Sequence, residues 1–339
     1  MHAEEKLWKK VNSVYLRNFL EHWRDPLTSK YVGIGSGNFE GILLLKKNGN
    51  PVWISHPFNY SQAKKEFPKN VSVKKFETQK ELQKMLEKNL EKKAGYNGKY
   101  LSASELKNLQ KKFPKKKFID VSEELIETRQ IKSAAEIKNI SFAAKETERI
   151  FKKIKKTLKK GISEKEVATK IRNRAAASGL ETASCIVAFG KNTSHIHHEP
   201  NNTKLFSGPV MIDFGLKYNH YCSDITKTFW FGKKIKGFKE FEMKKKLVEN
   251  ALKEIETKLA PGVPAKKLVE RTKLLGKIPH ALGHGIGLET HDCLTISEKS
   301  VWKLEKGMVL AIEPAIYTKK FGVRIENDYL ITKKGFKKL

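Results

Sequence analysis

Asp213 and Asp224 each interrupt an apolar run of strand character in VMIDFGLKYNHYCSDITKTFWF, a setting in which aspartate is disfavoured. A hairpin closed by Tyr218 and Asn219 would set the two carboxylates directly opposite each other, with Cβ atoms about 4.5–5.5 Å apart. Like charges that close repel, and one divalent cation or a pair of them would compensate. The plainer alternative is that one Asp caps a turn while the other faces solvent. Near the C-terminus, GMVLAIEPAIY puts Glu313 at the end of an apolar strand, and FGVRIENDYLIT puts Glu326 in another, beside Arg324. A buried glutamate is costly unless it is paired or coordinated. Both therefore extend the acidic set, unless Arg324 simply neutralises Glu326. Four carboxylates and an imidazole suit two ions of Mn, Co, Zn or Fe, because hard oxygens can bridge cations and nitrogen favours a transition metal over calcium. Such a site activates water and polarises a carbonyl, which is hydrolytic chemistry.

The imidazole has several candidates. In HALGHGIGLETHD, His280 and His284 are four apart, a spacing that puts both on one face of a helix. Gly283, Gly285 and Gly287 argue against that helix, since each costs ~1 kcal/mol in a helix interior. Alternating glycine instead predicts extended chain running close to something bulky, with substrate as the expected neighbour. A phosphate-binding loop would need a Lys-Ser/Thr pair after the glycines, and none follows. A second cluster, SHIHHEP, offers His195, His197 and His198, and spacing alone does not choose among them.

The elements that must position these residues divide at about residue 127. At 339 residues the chain has room for two domains. The first part reads as a small α/β unit: helical apolar spacing in VNSVYLRNFLEHW, a hairpin around Asn48-Gly49, and a helix from Tyr60 to Phe67. A strand in VSVKKF, an amphipathic helix over Gln79 to Lys93 and a helix capped by Ser102 and Glu105 follow. Beyond it, Ser133 to Lys160 is a long helix ended by Gly161, and Ser163 with Glu166 caps the next. Short strands then run from Thr182 to Phe231, a helix covers about Lys239 to Leu259, and strands continue to the end.

Composition sets limits on function. With 39% hydrophobic and 31% charged residues the chain reads as globular. No apolar run approaches the ~20 residues of a membrane helix, and the N-terminus lacks a signal-peptide core, so a cytoplasmic location is expected. Cys185, Cys222 and Cys293 are scattered and indicate neither a disulfide framework nor a thiolate metal site. The net charge of +31 invites a nucleic-acid reading, but only 8 of the 68 basic residues are Arg and the lysines are spread along the whole chain. No specific nucleic-acid partner is expected.

Six segments together resemble a known family: ETRQIKSAAEI, IVAFGKNTSHIHHEP, DFGLKYNHYCSDITKT, HALGHGIGLETHD, GMVLAIEPAIY and GVRIENDYLIT. In this order they are similar to the pita-bread metallopeptidases, the group of methionine aminopeptidases, Xaa-Pro aminopeptidases and Xaa-Pro dipeptidases (prolidases). The resemblance implies an α/β (α+β) protein with a creatinase-type N-terminal α/β domain over residues 1–127 and a pita-bread catalytic domain over 128–339. It implies five metal ligands, Asp213, Asp224, His284, Glu313 and Glu326, with Asp224 and Glu326 bridging two divalent ions, Mn or Co first and Zn or Fe next. His197 and His291 match histidines that contact substrate or stabilise the tetrahedral intermediate, Glu313 would also act as the acid and base, and Arg324 is taken with His280 and His197 as substrate-binding. His280 and the long N-terminal unit resemble the Xaa-Pro branch, hence an enzyme that cleaves before a proline at the second position by a hydroxide held between the metals, working as a homodimer. A methionine aminopeptidase-like enzyme is the first alternative. A retired pita-bread protein that binds nucleic acid or protein is the second. Lys227 stands where the family pattern has Arg, Ala315 where it has Gly, and Asn327 where it has an acid. Thr295 stands where many dipeptidases of the family have an Arg, which favours substrates longer than dipeptides.

Overall fold

The computed structural model describes residues 3–18, 25–33 and 39–339, and the chain divides into two compact units, Met1–Arg129 and Gln130–Leu339. The first contains α1 (Ala3–Lys10), β1 (Ser13–Asn18), α2 (Leu27–Val32), β2 (Gly41–Lys46), β3 (Val52–Ser55) and α3 (Pro57–Glu66). After these come β4 (Ser72–Lys75), α4 (Gln79–Asn89), β5 (Lys93–Tyr96), α5 (Ala103–Lys112), β6 (Lys117–Asp120) and α6 (Ser122–Gln130). Its six strands form one mixed sheet in the order β4-β3-β2-β1-β5-β6.

Both faces of that sheet are covered. Val14, Leu16, Leu43, Leu45 and Trp53 enter one apolar cluster, while Tyr15, Ile42, Leu44 and Ile54 enter another on the opposite side. Burial on two faces removes the polar alternation that marks a half-exposed strand. This is why the helical reading of residues 11–23 fails: residues 13–18 form strand β1, paired antiparallel to β2, and residues 19–23 lie outside the described residues.

The second unit contains α7 (Ala134–Thr157), α8 (Glu164–Ala176), β7 (Glu181–Phe189), β8 (Gly208–Tyr218), β9 (Tyr221–Cys222), β10 (Ile225–Phe231), α9 (Phe238–Glu256) and α10 (Lys266–Val269). Short strands follow: β11 (Gly283–Gly285), β12 (Thr295–Ile296), β13 (Val309–Ile312), β14 (Ala315–Tyr317), β15 (Gly322–Arg324), β16 (Asn327–Ile331) and β17 (Phe336–Lys338). Ser133 with Glu136 and Ser163 with Glu166 each make a complete capping box, so α7 and α8 begin where two orphan donors are satisfied reciprocally. The buried faces of both helices pack on the β10-β8-β7 sheet, and α9 and α10 contribute to a second core with the β12-β11-β13-β16-β17 sheet.

The β8–β10 connection differs from the expected one by a single residue. Asn219 and His220, both with positive φ (47° and 70°), form the turn, the conformation that suits a two-residue hairpin. Asp213 is consequently opposite Thr226, not Asp224. Moving the turn by one residue shifts the partner by two, which leaves Asp213 and Asp224 on the same face as diagonal neighbours. Gly215 accommodates the irregularity between β9 and β10, for a Cβ there would lie 2.0 Å from the Ser223 carbonyl oxygen. Thr147 of α7 fixes the same spot, its hydroxyl 2.7 Å from that of Ser223.

Candidate metal centre

Strands from the two larger sheets of the second unit carry acids to one locus. Asp213 lies on β8, Asp224 just ahead of β10, His284 in β11, Glu313 directly after β13 and Glu326 directly before β16. Thr226 and Glu326 form an isolated antiparallel bridge that joins β10 to the start of β16, and the Thr226 hydroxyl donates to Glu326 Oε2 at 2.7 Å. Three sets of candidate donor atoms each lie within 4.8 Å of one another: Asp224, His284 and His291; His284, Glu313 and Glu326; and Asp213, Asp224 and Glu326. Asp224, Glu326 and His284 each belong to two of the three, and Asp224 and Glu326 are the carboxylates that do.

Asp213, Asp224, Glu326 and His284 are buried, and Glu313 is partly so. Burial, reinforced by Glu326, Asp213, Asp328 and Glu313, holds the Asp224 carboxyl well above its ordinary range. Burial and the Glu326 charge push Glu313 up to about 8. Asp213 is also raised by burial, against the opposing charge of Arg324. Glu326 is the exception: burial acts to raise it, but the bond and charge of His284, with Arg324, bring it below the usual carboxylate value. Burial alone would depress His284, yet Glu326 and Glu313 outweigh it and raise the imidazole to about 9. The His284 Nδ1 atom is 3.0 Å from the Gly285 carbonyl oxygen, which makes it the donor and leaves Nε2 facing Glu326 at 3.6 Å and Glu313 at 3.9 Å. A backbone acceptor on one ring nitrogen is the arrangement that orients the other toward a metal. Four crowded carboxylates face Arg324 and His284 as the cationic groups described at the site, so full ionisation of the acids would leave an excess of negative charge, and this donor set fits divalent cations.

Arg324 does not pair with Glu326. Its guanidinium forms a short charge-assisted contact with Asp213 Oδ2, donates to Tyr317 Oη at 2.6 Å and to the Ile196 carbonyl at 3.3 Å, and reaches Thr226 Oγ1 at 3.3 Å. His280 stands beside Glu313, with Nδ1 3.6 Å from Oε2, 2.7 Å from the Ala281 carbonyl, and Nε2 3.1 Å from Tyr317 Oη. His291 is exposed, its ring centroid 4.1 Å from that of His284. Burial first, then the charge of His284, lowers the His291 pKa; burial likewise lowers that of His280. His197 is exposed.

His198 has a different task. Its Nε2 lies 2.7 Å from Glu164 Oε2, and the fully buried Glu164 also accepts from the backbone of Phe189 (2.7 Å) and Asn201 (3.1 Å) and from Asn192 Nδ2 (2.9 Å). One carboxylate thus secures the segment that carries His197. Glu164→Ala would leave these donors without an acceptor, and we expect a loss of about 3–5 kcal/mol in stability, read as a lower midpoint in urea.

The glycines of the histidine segment make room for the protein itself, backbone at Gly283 and Gly285 and the Asp292 side chain at Gly287, not for substrate. A Cβ on Gly283 would lie 2.1 Å from the Ala311 oxygen, and one on Gly285 would lie 2.0 Å from the Asp292 oxygen. Gly285→Ala is therefore expected to cost at least about 1–3 kcal/mol by overpacking, checked as a fall in Tm of the metal-free and the metal-loaded protein alike.

Asp328 escapes a reading centred on Glu326. Its Oδ2 accepts from the Asp224 backbone at 3.0 Å, and burial raises its carboxyl to about 8. Lys227 and Asn327, two departures from the family pattern, meet each other at 2.7 Å, and Lys227 also pairs with Glu148 at 2.7 Å.

A mixed α/β protein with buried acids and a histidine gathered on adjoining strands has the donor set of a divalent-metal site. Residues 138–333 match metallopeptidase family M24 and residues 12–131 match the creatinase/prolidase N-terminal domain; the chain belongs to family M24, with a creatinase-like N-terminal domain and a pita-bread catalytic domain. It is 36% identical over 248 residues to an uncharacterized peptidase of Staphylococcus epidermidis, covering 70% of each chain. An uncharacterized peptidase of Staphylococcus aureus is 34% identical over 255 residues, 71% of each. Among solved structures, the X-Pro aminopeptidase of Thermotoga maritima superposes with a TM-score of 0.87 at 26% identity, covering 99% of this chain and 96% of that one. The prolidase of Pyrococcus furiosus gives 0.84 at 29% identity, with 99% and 98% covered. The prolidase of Pyrococcus horikoshii gives 0.86 at 31%, with 99% and 96%. Among the described residues no helix is long and apolar enough to cross a membrane.

Proposed function

We propose that this peptidase removes an N-terminal residue that precedes proline, and that Asp213, Asp224, His284, Glu313 and Glu326 hold two divalent ions, with Asp224 and Glu326 shared between them. The observation that carries the reading is the convergence of these five side chains, in which Asp224 and Glu326 each enter two of the overlapping donor sets. Likeness along nearly the whole chain to an X-Pro aminopeptidase and to prolidases supports the Xaa-Pro part.

The metal, when bound, supplies Lewis-acid polarisation of the scissile carbonyl and lowers the pKa of water. The chain's own groups do the rest. Glu313 takes the proton of the attacking water and returns it to the proline nitrogen as the bond breaks. His291 and His197 donate to the oxygen that gains charge in the tetrahedral state; both precede or follow well-anchored backbone, as preorganised donors must. His280, held by Ala281 and Tyr317, flanks Glu313 and would contact the substrate there. Arg324 acts here through Asp213 and Tyr317. A homodimer and a cytoplasmic location belong to the same reading.

The test is hydrolysis of Xaa-Pro dipeptides and longer Xaa-Pro peptides by protein stripped and then loaded with Mn, Co, Zn or Fe in turn. Cleavage before proline with at least one metal is expected, with longer peptides preferred because Thr295 replaces the arginine that would hold a dipeptide carboxylate. Inactivity on every peptide with every metal would sink the reading.

A further inference from the structure

Lys132 and Asp292 form a buried ion pair in the catalytic unit, side chains 2% and 1% exposed, with Nζ 3.5 Å from Oδ2. Neither belongs to the acidic centre described above. Taking both charges out of water costs several kcal/mol per ion, and a pair at this separation recovers only part of that. Its placement offers a reason. Asp292 follows His291 directly, and Oδ2 also accepts the Leu288 backbone N–H at 3.2 Å, while Oδ1 is 2.7 Å from the Cys293 thiol. Asp292 N donates to the Gly285 oxygen at 2.8 Å. The segment from Gly285 to Cys293 is thus folded back on itself, with Cys293 at a φ of +71°. Gly287 completes the nest: a Cβ there would lie 2.0 Å from Asp292 Oδ2 and 3.0 Å from Lys132 Cε. Lys132 is itself fixed at the entrance to α7, its backbone N–H donating to the Gly307 oxygen at 2.9 Å.

We propose that Lys132 is a positioning residue for catalysis: by holding the Asp292 carboxylate it fixes the fold of residues 285–293, and so the His291 ring against His284. Removing the ammonium frees the carboxylate to turn toward water and carries His291 with it. The proposal rests on the assignment of His291 to the reaction, so its test has one arm that needs no activity.

Lys132→Met, which keeps the stem and removes the charge, and Asp292→Asn, which keeps an acceptor for Leu288, are compared with His291→Ala and with each double variant. Displacing a catalytic group by about 1 Å costs on the order of 100-fold in rate. Lys132→Met is expected to lower kcat 10- to 100-fold with KM little changed and metal content unchanged, and to lower it no further in a His291→Ala background. In parallel, the imidazole resonances of His291 in the metal-free protein, assigned by their loss in His291→Ala, should shift in Lys132→Met and in Asp292→Asn. Unmoved His291 resonances would overturn the positioning role whatever the enzyme cleaves. Fully additive losses with His291→Ala would overturn it too, since a purely structural pair weakens both backgrounds equally. Shifted resonances in a protein that cleaves no peptide would uphold the positioning of His291 and reject the peptidase assignment alone.

Discussion

Asp224→Ala is expected to abolish peptide hydrolysis and metal retention while leaving the metal-free protein at least as stable as the parent. The two halves of that result have one cause. In the metal-free protein the Asp224 carboxyl is buried and faces Glu326, Asp213, Asp328 and Glu313, which together with burial hold it well above its ordinary pKa. It is then a liability, and an alanine removes it at the loss of little apolar packing. Its backbone bond to Asp328 does not need the side chain. The same carboxylate belongs to two of the donor sets, so under the proposed function its loss would take the Lewis acid out of the reaction. That term is worth several kcal/mol and each 1.36 kcal/mol is tenfold, so the rate should fall by roughly 1,000-fold or more. The stabilisation conferred by tight metal binding, about 4 kcal/mol at a thousandfold excess over Kd, should vanish with it. Melting curves with and without chelator, metal content by mass spectrometry and initial rates measure all three quantities. A metal-replete, active variant would remove Asp224 from the centre. A variant destabilised equally with and without chelator would make Asp224 a structural residue.

Much of this site could be read from residue types, because an acid within an apolar strand is costly and signals a compensating partner. Asp213, Asp224, Glu313 and Glu326 stood out on that ground, and they do converge. The details that were illegible have physical reasons. Asn219 and His220 are residue types enriched at positive φ, but a two-residue turn one position earlier also fits the apolar pattern; because the partner moves by two, either turn leaves both aspartates on one face. Strand β1 lost its alternation because Tyr15 and its neighbours Val14 and Leu16 are buried on opposite faces. Close approach at the alternating glycines was legible, but not that Ala311 and Asp292 backbone fills the space. The pairs Glu164–His198 and Lys132–Asp292 join residues far apart in the chain, and no spacing encodes them. Asp328 did carry a signal, an acid two residues beyond Glu326 and hence on the same strand face.

Metal affinity should rise steeply between pH 6 and pH 8, and the thermal stability of the metal-free protein should move the opposite way. Glu313 is raised from 4.5 to about 8, Asp328 from 3.8 to about 8, and His284 from 6.5 to about 9. For the two acids the folded state binds more protons than the unfolded one between about 4 and 8, so their contribution to stability falls as pH rises through that window. His284 contributes fully below 6.5 and loses its contribution as pH rises through about 9. All three therefore favour the metal-free protein at acidic pH. Metal ligation demands the opposite protonation, with Glu313 and Asp224 ionised and His284 neutral, so each ion bound at pH 7 must expel protons. One proton released per ion makes affinity change about tenfold per pH unit, and more than one makes it steeper. Calorimetry of Mn binding in buffers of different ionisation enthalpy should reveal that release as a slope in the apparent enthalpy. Melting curves should show a gap between metal-loaded and chelated protein that widens from pH 6 to pH 8. A gap that stays constant, with no proton release, would mean that the site is ionised before the metal arrives, and that burial and mutual repulsion do not hold Glu313 and Asp224 above their ordinary range.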